Sequence, residues 1–122
     1  MSQLLTQYQR NDIVLVPFPF TNLARQKARP SVVVSSASYN ARMNDLVVAA
    51  ISSQITIMDA TFDLLSPITH PQFAITGLRV SSGIKAGKII IEQSIVYRKL
   101  GMLPSDLMAQ LEQRLRSVFD LK

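Results

Sequence analysis

The sequence predicts a mainly β (α+β) fold, a small barrel or strongly bent sheet with a closing C-terminal helix. Short β-branched runs recur, each bounded by Pro, Gly, Ser or Asn, as in strands joined by tight turns. The last stretch changes to the apolar period of a helix. With 122 residues, 48% of them apolar and 17% charged, the chain is expected to form a single domain, residues 1–122.

Seven runs are predicted to be strands. They are residues 13–16, 32–34, 46–51, 61–65, 78–80, 88–92 and 94–97. Pro17 and Pro19 cannot donate a ladder hydrogen bond, so we expect them at a strand end, a bulge or an edge. The second and third runs are apolar on both faces. One face is therefore expected in the core, and the other against a helix or a second subunit.

The C-terminal stretch is predicted to be an amphipathic helix packed on the sheet. Pro104, Ser105 and Asp106 favour the first turn of a helix. Apolar residues then follow at helical spacing, at Leu107, Met108, Leu111, Leu115, Val118 and Phe119.

The composition excludes several classes of protein. Without cysteine there is no disulfide framework, thiolate nucleophile or cysteine-based zinc site. The polar start is unlike a signal peptide, and no apolar run approaches the roughly 18 residues that span a bilayer. We therefore expect a cytoplasmic protein without membrane contact. The net charge of +5 suits nucleic acid, but many other soluble proteins are also cationic.

Several familiar catalytic patterns are missing. The one histidine, His70, precedes Pro71 in a predicted loop, where a surface residue is the usual case. The eight acids are scattered, so no metal site and no cofactor is expected. No Gly-rich phosphate loop or Gly-x-Ser-x-Gly elbow occurs. Metal-dependent nucleases, NTPases and esterases are all disfavoured.

A basic segment between the first two runs is the strongest candidate site. Residues 21–30 carry Arg25, Lys27 and Arg29 and no acid. Such cations suit a polyanion, although a solvated loop would have the same composition. Arg29 differs because Pro30 restricts the backbone just before a strand. Its planar guanidinium could grip phosphate through two hydrogen bonds.

Polar residues end or interrupt two apolar runs. Ser52, Ser53 and Gln54 directly follow the third run, and Glu92 and Gln93 follow three isoleucines. Each group could be a strand-end turn or a surface position, and each could equally belong to a site.

In this order, these segments resemble the PemK/MazF family of toxin endoribonucleases, or mRNA interferases. The resemblance is carried by DIVLVPFPFT at residues 12–21, RPSVVVS at 29–35 and AAISSQ at 49–54. Gly77-Leu78, Glu92-Gln93 and RKL at 98–100 look like later blocks of that family. The match covers about residues 10–119.

The resemblance implies an SH3-like barrel of the PemK/MazF/CcdB type, with one RNA groove across a homodimer. It also implies metal-independent cleavage of single-stranded RNA, including mRNA, and a cognate antitoxin that blocks the groove. By position, Arg29 matches the catalytic arginine, and Ser52 stands where a catalytic threonine is usual. The residues expected to bind RNA are Thr21, Asn22, Arg25, Lys27, Ser53, Gln54, Glu92 and Gln93.

Three departures from the family pattern affect these expectations. Serine at position 52 keeps the hydroxyl but loses the methyl group that restrains the rotamer. Asn11 replaces a usual glycine, which is tolerable if the backbone needs a positive φ there. Ala24-Arg25 stands where some members carry an acid, which leaves the general base unassigned.

Without a metal or a pair of histidines, the economical chemistry uses the 2′-OH of the RNA. Its attack on the adjacent phosphorus leaves a 2′,3′-cyclic phosphate and a 5′-OH. Arg29 would stabilise charge on the phosphate, and Ser52 would hydrogen-bond a phosphate oxygen. Unpaired bases would lie against an exposed aromatic such as Phe20 or Tyr39.

Two other functions fit the same sequence. The chain could be a catalytically inactive SH3-like module that binds RNA or a peptide. It could also be a toxin of the same fold that acts on a protein target.

Overall fold

The computed structural model describes residues 8–19 and 26–122, apart from the side chains of residues 18, 19, 26, 27, 88–90 and 92. Within them the main feature is an antiparallel sheet of six strands. The strands are β1 (Asp12–Pro19), β2 (Gln26–Val33), β3 (Asp45–Ser52), β4 (Asp63–Ser66), β5 (Ser82–Glu92) and β6 (Arg98–Met102). The helices are α1 (Ala37–Arg42) and α2 (Ser105–Phe119), with 3₁₀ turns at Phe73–Thr76 and Gln93–Ile95.

The strands lie in the order β4-β5-β3-β2-β1-β6. No ladder joins β4 to β6 among the described residues, so the sheet is open rather than a closed barrel. The 3₁₀ turn Phe73–Thr76 packs on β6. A Cβ atom on Gly101 would lie 2.1 Å from the carbonyl oxygen of Ile75, so only glycine permits this approach. The predicted mainly β fold with a C-terminal helix is confirmed.

The sheet buries apolar side chains on both faces, as the two-faced runs predict. On one face, Leu107, Met108 and Leu111 of α2 pack with strand residues such as Ile13 and Ile84; we call this the helix-side core. The opposite core consists of Val14, Val16, Val33, Leu46, Val48, Ile91 and Val96. The chain thus satisfies both faces of its central strands by itself.

Pro17 and Pro19 lie where the sequence predicts. β6 pairs with β1 only along residues 12–15, whereas β2 pairs with β1 as far as Pro19. Among the described residues, both prolines therefore have a strand on one side only, and their missing N–H groups break no ladder on the other.

The C-terminal helix is confirmed over Ser105–Phe119. Its buried residues are Leu107, Met108 and Leu111, whereas Val118 and Phe119 are partly exposed. In the described part of the chain, no helix is long and apolar enough to cross a membrane.

Two predicted strands are wrong. Residues 78–80 form no strand, because Gly77 turns the chain with φ 74° and the Leu78 N–H donates to the Thr76 hydroxyl. Residues 94–97 belong to a 3₁₀ turn and a short connection, and the strand begins only at Arg98. Conversely, residues 26–30 of the predicted basic loop are part of β2. Asn11 has the positive φ, 82°, that its replacement of glycine requires.

Candidate active site

β2 and β3 bring Arg29 and Ser52 to the same end of the sheet. Their antiparallel ladder pairs Ser31 with Ala50, and Arg29 and Ser52 are each two residues beyond that pair in the same direction. The ladder stops there because Pro30 has no N–H to donate. Extending the register sets Arg29 opposite Ser52, about one strand spacing of 4.8 Å away.

Both residues belong to the face that carries the opposite core. Side chains alternate along a strand, so Arg29 shares the face of Val33, and Ser52 shares the face of Val48, both of that core. Arg29 and Ser52 are partly exposed, whereas the core residues are buried. The pair therefore lies where the buried face of the sheet meets solvent.

The Ser52 hydroxyl is held by the backbone that follows it. Its Oγ accepts a hydrogen bond of 3.1 Å from the Gln54 N–H. The hydroxyl hydrogen remains available to an external acceptor. Ser53 and Gln54 are exposed beside it.

Lys85 fixes the segment that follows Ser52. Its Nζ donates to the Ile57 carbonyl and to the Asp63 carboxylate, both at 3.1 Å. Lys85 lies on β5, the strand on which Gly83 pairs with Ser52. Lys85 therefore holds the connection from β3 to β4 in place near the Ser52 hydroxyl.

Glu92 lies far from this pair within one chain. It pairs with Asp45, at the start of β3, and Ser52 is the last residue of that strand. The seven residue steps from Asp45 to Ser52 span about 23 Å of extended strand. One chain thus does not bring Glu92 together with Arg29 and Ser52 along β3.

The Gln93 amide already has structural partners. Its Nε2 donates to the carbonyls of Asn40, at 2.9 Å, and Met43, at 3.2 Å. Its backbone N–H donates to the Asn44 carbonyl at 2.8 Å. Gln93 therefore fastens the end of α1 to the end of β5.

The remaining candidates fall outside what the structure describes. Thr21, Asn22 and Arg25 are outside the described residues, as is Phe20. For Lys27 the structure describes only the backbone, which pairs with Phe18 across β1 and β2.

A cleft of about 550 Å³ lies elsewhere, between α2 and the connection from β2 to β3. Tyr39 lines it together with Leu115 and Phe119, so Tyr39 faces the helix-side region. Neither Arg29 nor Ser52 lines this cleft. The candidate pair therefore lies outside this cleft.

His70 is mostly buried, with 12% of its side chain exposed, so the expected surface position is wrong. Its Nδ1 accepts from the Gln72 N–H, and its Nε2 lies 2.9 Å from an Asp106 carboxylate oxygen. This hydrogen bond is the main cause of the lowered pKa of Asp106. Both ring nitrogens of His70 are occupied, so it ties its loop to α2. Across the described residues, no three His, Asp or Glu side chains gather as they would to hold a metal ion.

Two further residues near this end of the sheet are not singled out by the sequence. The Ser31 hydroxyl is buried and, among the described residues, has no hydrogen-bond partner. Tyr97 is 55% exposed, and its N–H donates to the Leu15 carbonyl beside Val16. In the sequence, Tyr97 is marked only as an aromatic residue that is directly followed by two cations, Arg98 and Lys99.

The family comparison agrees with the sequence resemblance. The profile of a family described as "PemK-like, MazF-like toxin of type II toxin-antitoxin system" matches residues 9–119. No curated protein matches the chain in sequence.

Solved structures share the fold at low identity. An endoribonuclease from a Mycobacterial species has a TM-score of 0.73 and 14% identity, over 98% of this chain and 97% of that chain. Mycobacterium tuberculosis toxin MazF-mt6 has a TM-score of 0.70 and 20% identity, over 91% and 98%. A MazE–MazF structure from Deinococcus radiodurans has a TM-score of 0.73 and 19% identity, over 94% and 97%.

Proposed function

Since the chain belongs to the family of PemK-like, MazF-like toxins of type II toxin–antitoxin systems, we propose that it is an endoribonuclease. Its substrate is single-stranded RNA, including mRNA, in the cytoplasm. The observation that carries the proposal is the register that sets Arg29 opposite Ser52 at the same end of the sheet. A guanidinium and a hydroxyl one strand apart can both donate to the oxygens of one phosphodiester.

The proposed reaction is an internal transfer at phosphorus. The 2′-oxygen forms a bond to the adjacent phosphorus while the bond from phosphorus to the 5′-oxygen breaks. The proton of the 2′-OH passes to a base, and the departing 5′-oxygen takes up a proton. Arginine stays protonated in proteins, so Arg29 stabilises negative charge on the non-bridging oxygens rather than acting as the base.

Ser52 is proposed to donate its hydroxyl hydrogen to a phosphate oxygen. Because its Oγ already accepts from the Gln54 N–H, the oxygen has one settled partner and the O–H can turn toward the substrate. Such a preorganised donor strengthens its bond as charge builds in the transition state. Arg25 and Lys27 are proposed to follow the RNA backbone, together with Thr21, Asn22, Ser53 and Gln54.

A homodimer and a cognate antitoxin are the proposed protein partners. Support for the antitoxin comes from the MazE–MazF structure of D. radiodurans and from an endoribonuclease in complex with its cognate antitoxin from a Mycobacterial species. Support for the dimer is the position of Glu92 and Gln93 at the far end of β3. A second chain could supply them to the groove beside Arg29 and Ser52.

The test is cleavage of mixed single-stranded RNA in EDTA, with analysis of the new ends for 2′,3′-cyclic phosphate and 5′-OH. Arg29→Ala and Ser52→Ala should each lower the rate by about 10²–10³-fold, the usual loss for one such donor. Arg42→Ala makes the same charge change at an exposed site on α1 and should cut normally. Ser52→Thr should also cut normally.

Unchanged cleavage by Arg29→Ala and Ser52→Ala would show that the site is elsewhere. RNA left intact by the wild-type chain would instead favour a binding module or a toxin with a protein target.

A further inference from the structure

Lys85 lies on the same face of the sheet as Ser52. Ile84 and Ala86, its neighbours on β5, belong to the helix-side core, so Lys85 projects to the other face. Ser52 does the same, because the residue before it is also in the helix-side core. Since Gly83 pairs with Ser52, Lys85 lies on the diagonal from Ser52, about 7–8 Å away. Lys85 is therefore a close neighbour of the candidate hydroxyl.

An ion pair between two strands fixes the Lys85 ammonium. Asp63 of β4 pairs directly with Lys85 of β5, and its Oδ2 lies 3.1 Å from the Lys85 Nζ. The same oxygen of Asp63 accepts from the Asp59 N–H at 2.9 Å. The Asp63 side chain is only 13% exposed, so salt and water screen this pair less than a pair on the open surface. The ammonium therefore has a defined position.

From that position, Lys85 fixes the backbone that follows Ser52. Its Nζ also donates to the Ile57 carbonyl at 3.1 Å. Met58 makes a second contact with β5, because a Cβ atom on Gly83 would lie 3.1 Å from the Met58 Sδ. The thioether thus occupies the space that a side chain on Gly83 would take. An ammonium and a thioether together attach the connection after β3 to β5.

The orientation of the Ser52 hydroxyl depends on this backbone. The Ser52 Oγ accepts from the Gln54 N–H, and Ile57 follows Gln54 by three residues. Ser53 and Gln54 are exposed, so water competes for this hydrogen bond, and a single bond of this kind contributes little by itself. The bond persists only while the backbone holds the Gln54 N–H in place.

We propose that Lys85 is a positioning residue for catalysis, which acts through Ser52 rather than on the RNA. By holding the Ile57 carbonyl, it keeps the Gln54 N–H on the Ser52 Oγ and the hydroxyl hydrogen directed toward the phosphate. This inference rests on the proposed ribonuclease function and adds one residue to its machinery. A donor that moves by about 1 Å can cost about 100-fold in rate.

The first test measures kcat and KM for cleavage of mixed single-stranded RNA in EDTA. Lys85→Met keeps the stem and removes both hydrogen bonds, so it should lower kcat by about 10- to 100-fold and leave KM unchanged. Asp63→Asn weakens the ion pair but leaves the cation, and it should lower kcat to a smaller extent. Lys85→Arg keeps a charged donor and should recover most of the rate.

Lys99→Met is the matched control. Lys99 has a comparable ion pair, with its Nζ 3.2 Å from the Asp12 carboxylate, but it lies on β6. Its replacement removes the same charge and should leave kcat unchanged. Circular dichroism melts show whether each variant is folded at the assay temperature. If Lys85→Met is not folded there, Asp63→Asn replaces it in every comparison.

The Ser52→Ala background separates positioning from direct contact with RNA. If Lys85 acts through Ser52, Lys85→Met should have little further effect in that background. An equal loss of rate in both backgrounds would overturn the inference, because Lys85 would then act on the substrate itself. A wild-type kcat in Lys85→Met would also overturn it, while leaving the ribonuclease proposal in place. A wild-type chain that does not cut RNA would overturn both proposals.

Discussion

At Ser52, a backbone hydrogen bond restrains the side-chain rotamer, as the methyl group does in threonine. Threonine restrains its own χ1 because two heavy atoms branch at Cβ, and serine lacks that restraint. Here the Gln54 N–H donates to the Ser52 Oγ at 3.1 Å, which favours one rotamer. Replacement of threonine by serine therefore costs the site less preorganisation than the side chain alone predicts.

Ser31 is a buried polar residue of β2, two positions from Arg29. Its side chain is fully buried, and the Oγ has no hydrogen-bond partner among the described residues. A buried, unsatisfied hydroxyl destabilises the fold by about 1–3 kcal/mol. Ser31→Ala should therefore raise the free energy of unfolding, by about 1 kcal/mol, as measured by urea denaturation.

Ser53→Ala is the matched control, since it removes an exposed hydroxyl and should leave the unfolding free energy unchanged. RNA cleavage by Ser31→Ala should equal that of wild type, because the hydroxyl does not reach solvent. A loss of stability or of activity would mean that this hydroxyl bonds a group in the working site.

Among the elements, the pair His70–Asp106 joins the loop before the first 3₁₀ turn to the start of α2. The hydrogen bond from His70 lowers the pKa of Asp106 below its ordinary value of 3.8. A carboxyl whose pKa is lower in the folded state stabilises the fold above the unfolded pKa. The contribution is lost as pH falls through the folded pKa.

Asp106→Asn should therefore melt at a lower temperature than wild type near neutral pH, where the carboxylate is charged. The two melting curves should converge as the pH falls below about 3.8. Circular dichroism melts over a pH series would measure this. A difference in melting temperature that persisted in acid would show that the charge of Asp106 is not the source of the stabilisation.

Local sequence signals were sufficient for the elements that carry their own apolar pattern. The first three strand runs and α2 show the β-branched or helical period of their class, and the structure has them. Residues 26–30 of β2 and the start of β5 lack this pattern. They become strand because neighbouring strands pair with them, and tertiary context of this kind overrides weak propensity.

The site could be predicted residue by residue but not as an arrangement. Arg29 and Ser52 were identified by their chemistry and by the family resemblance. Their alignment depends on the register between β2 and β3, which cannot be read directly from a sequence. The sequence also does not predict the position of Tyr97, because residues 94–97 form a 3₁₀ turn and a connection instead of the predicted strand. Nor does it predict the distance between Glu92 and Ser52, which depends on the β3–β5 register.

For the whole molecule, the question is which chain completes the groove. Each chain covers both faces of its central strands, yet it leaves Arg29 and Ser52 at one end of β3 and Glu92 at the other. In a symmetric dimer the same surface meets its own copy. A residue from the far end of one chain can then lie beside the catalytic pair of its partner.

Mixing two impaired variants tests this proposed arrangement. If Arg29 and Glu92 act from different chains, a dimer of Arg29→Ala with Glu92→Ala contains one doubly altered site and one intact site. Refolding equal amounts together should then restore about a quarter of wild-type cleavage, since half of the dimers are mixed and half of their sites are intact. Residues acting from the same chain would give no restoration, because every site would lack one of them. Full activity of Glu92→Ala alone would remove Glu92 from the groove.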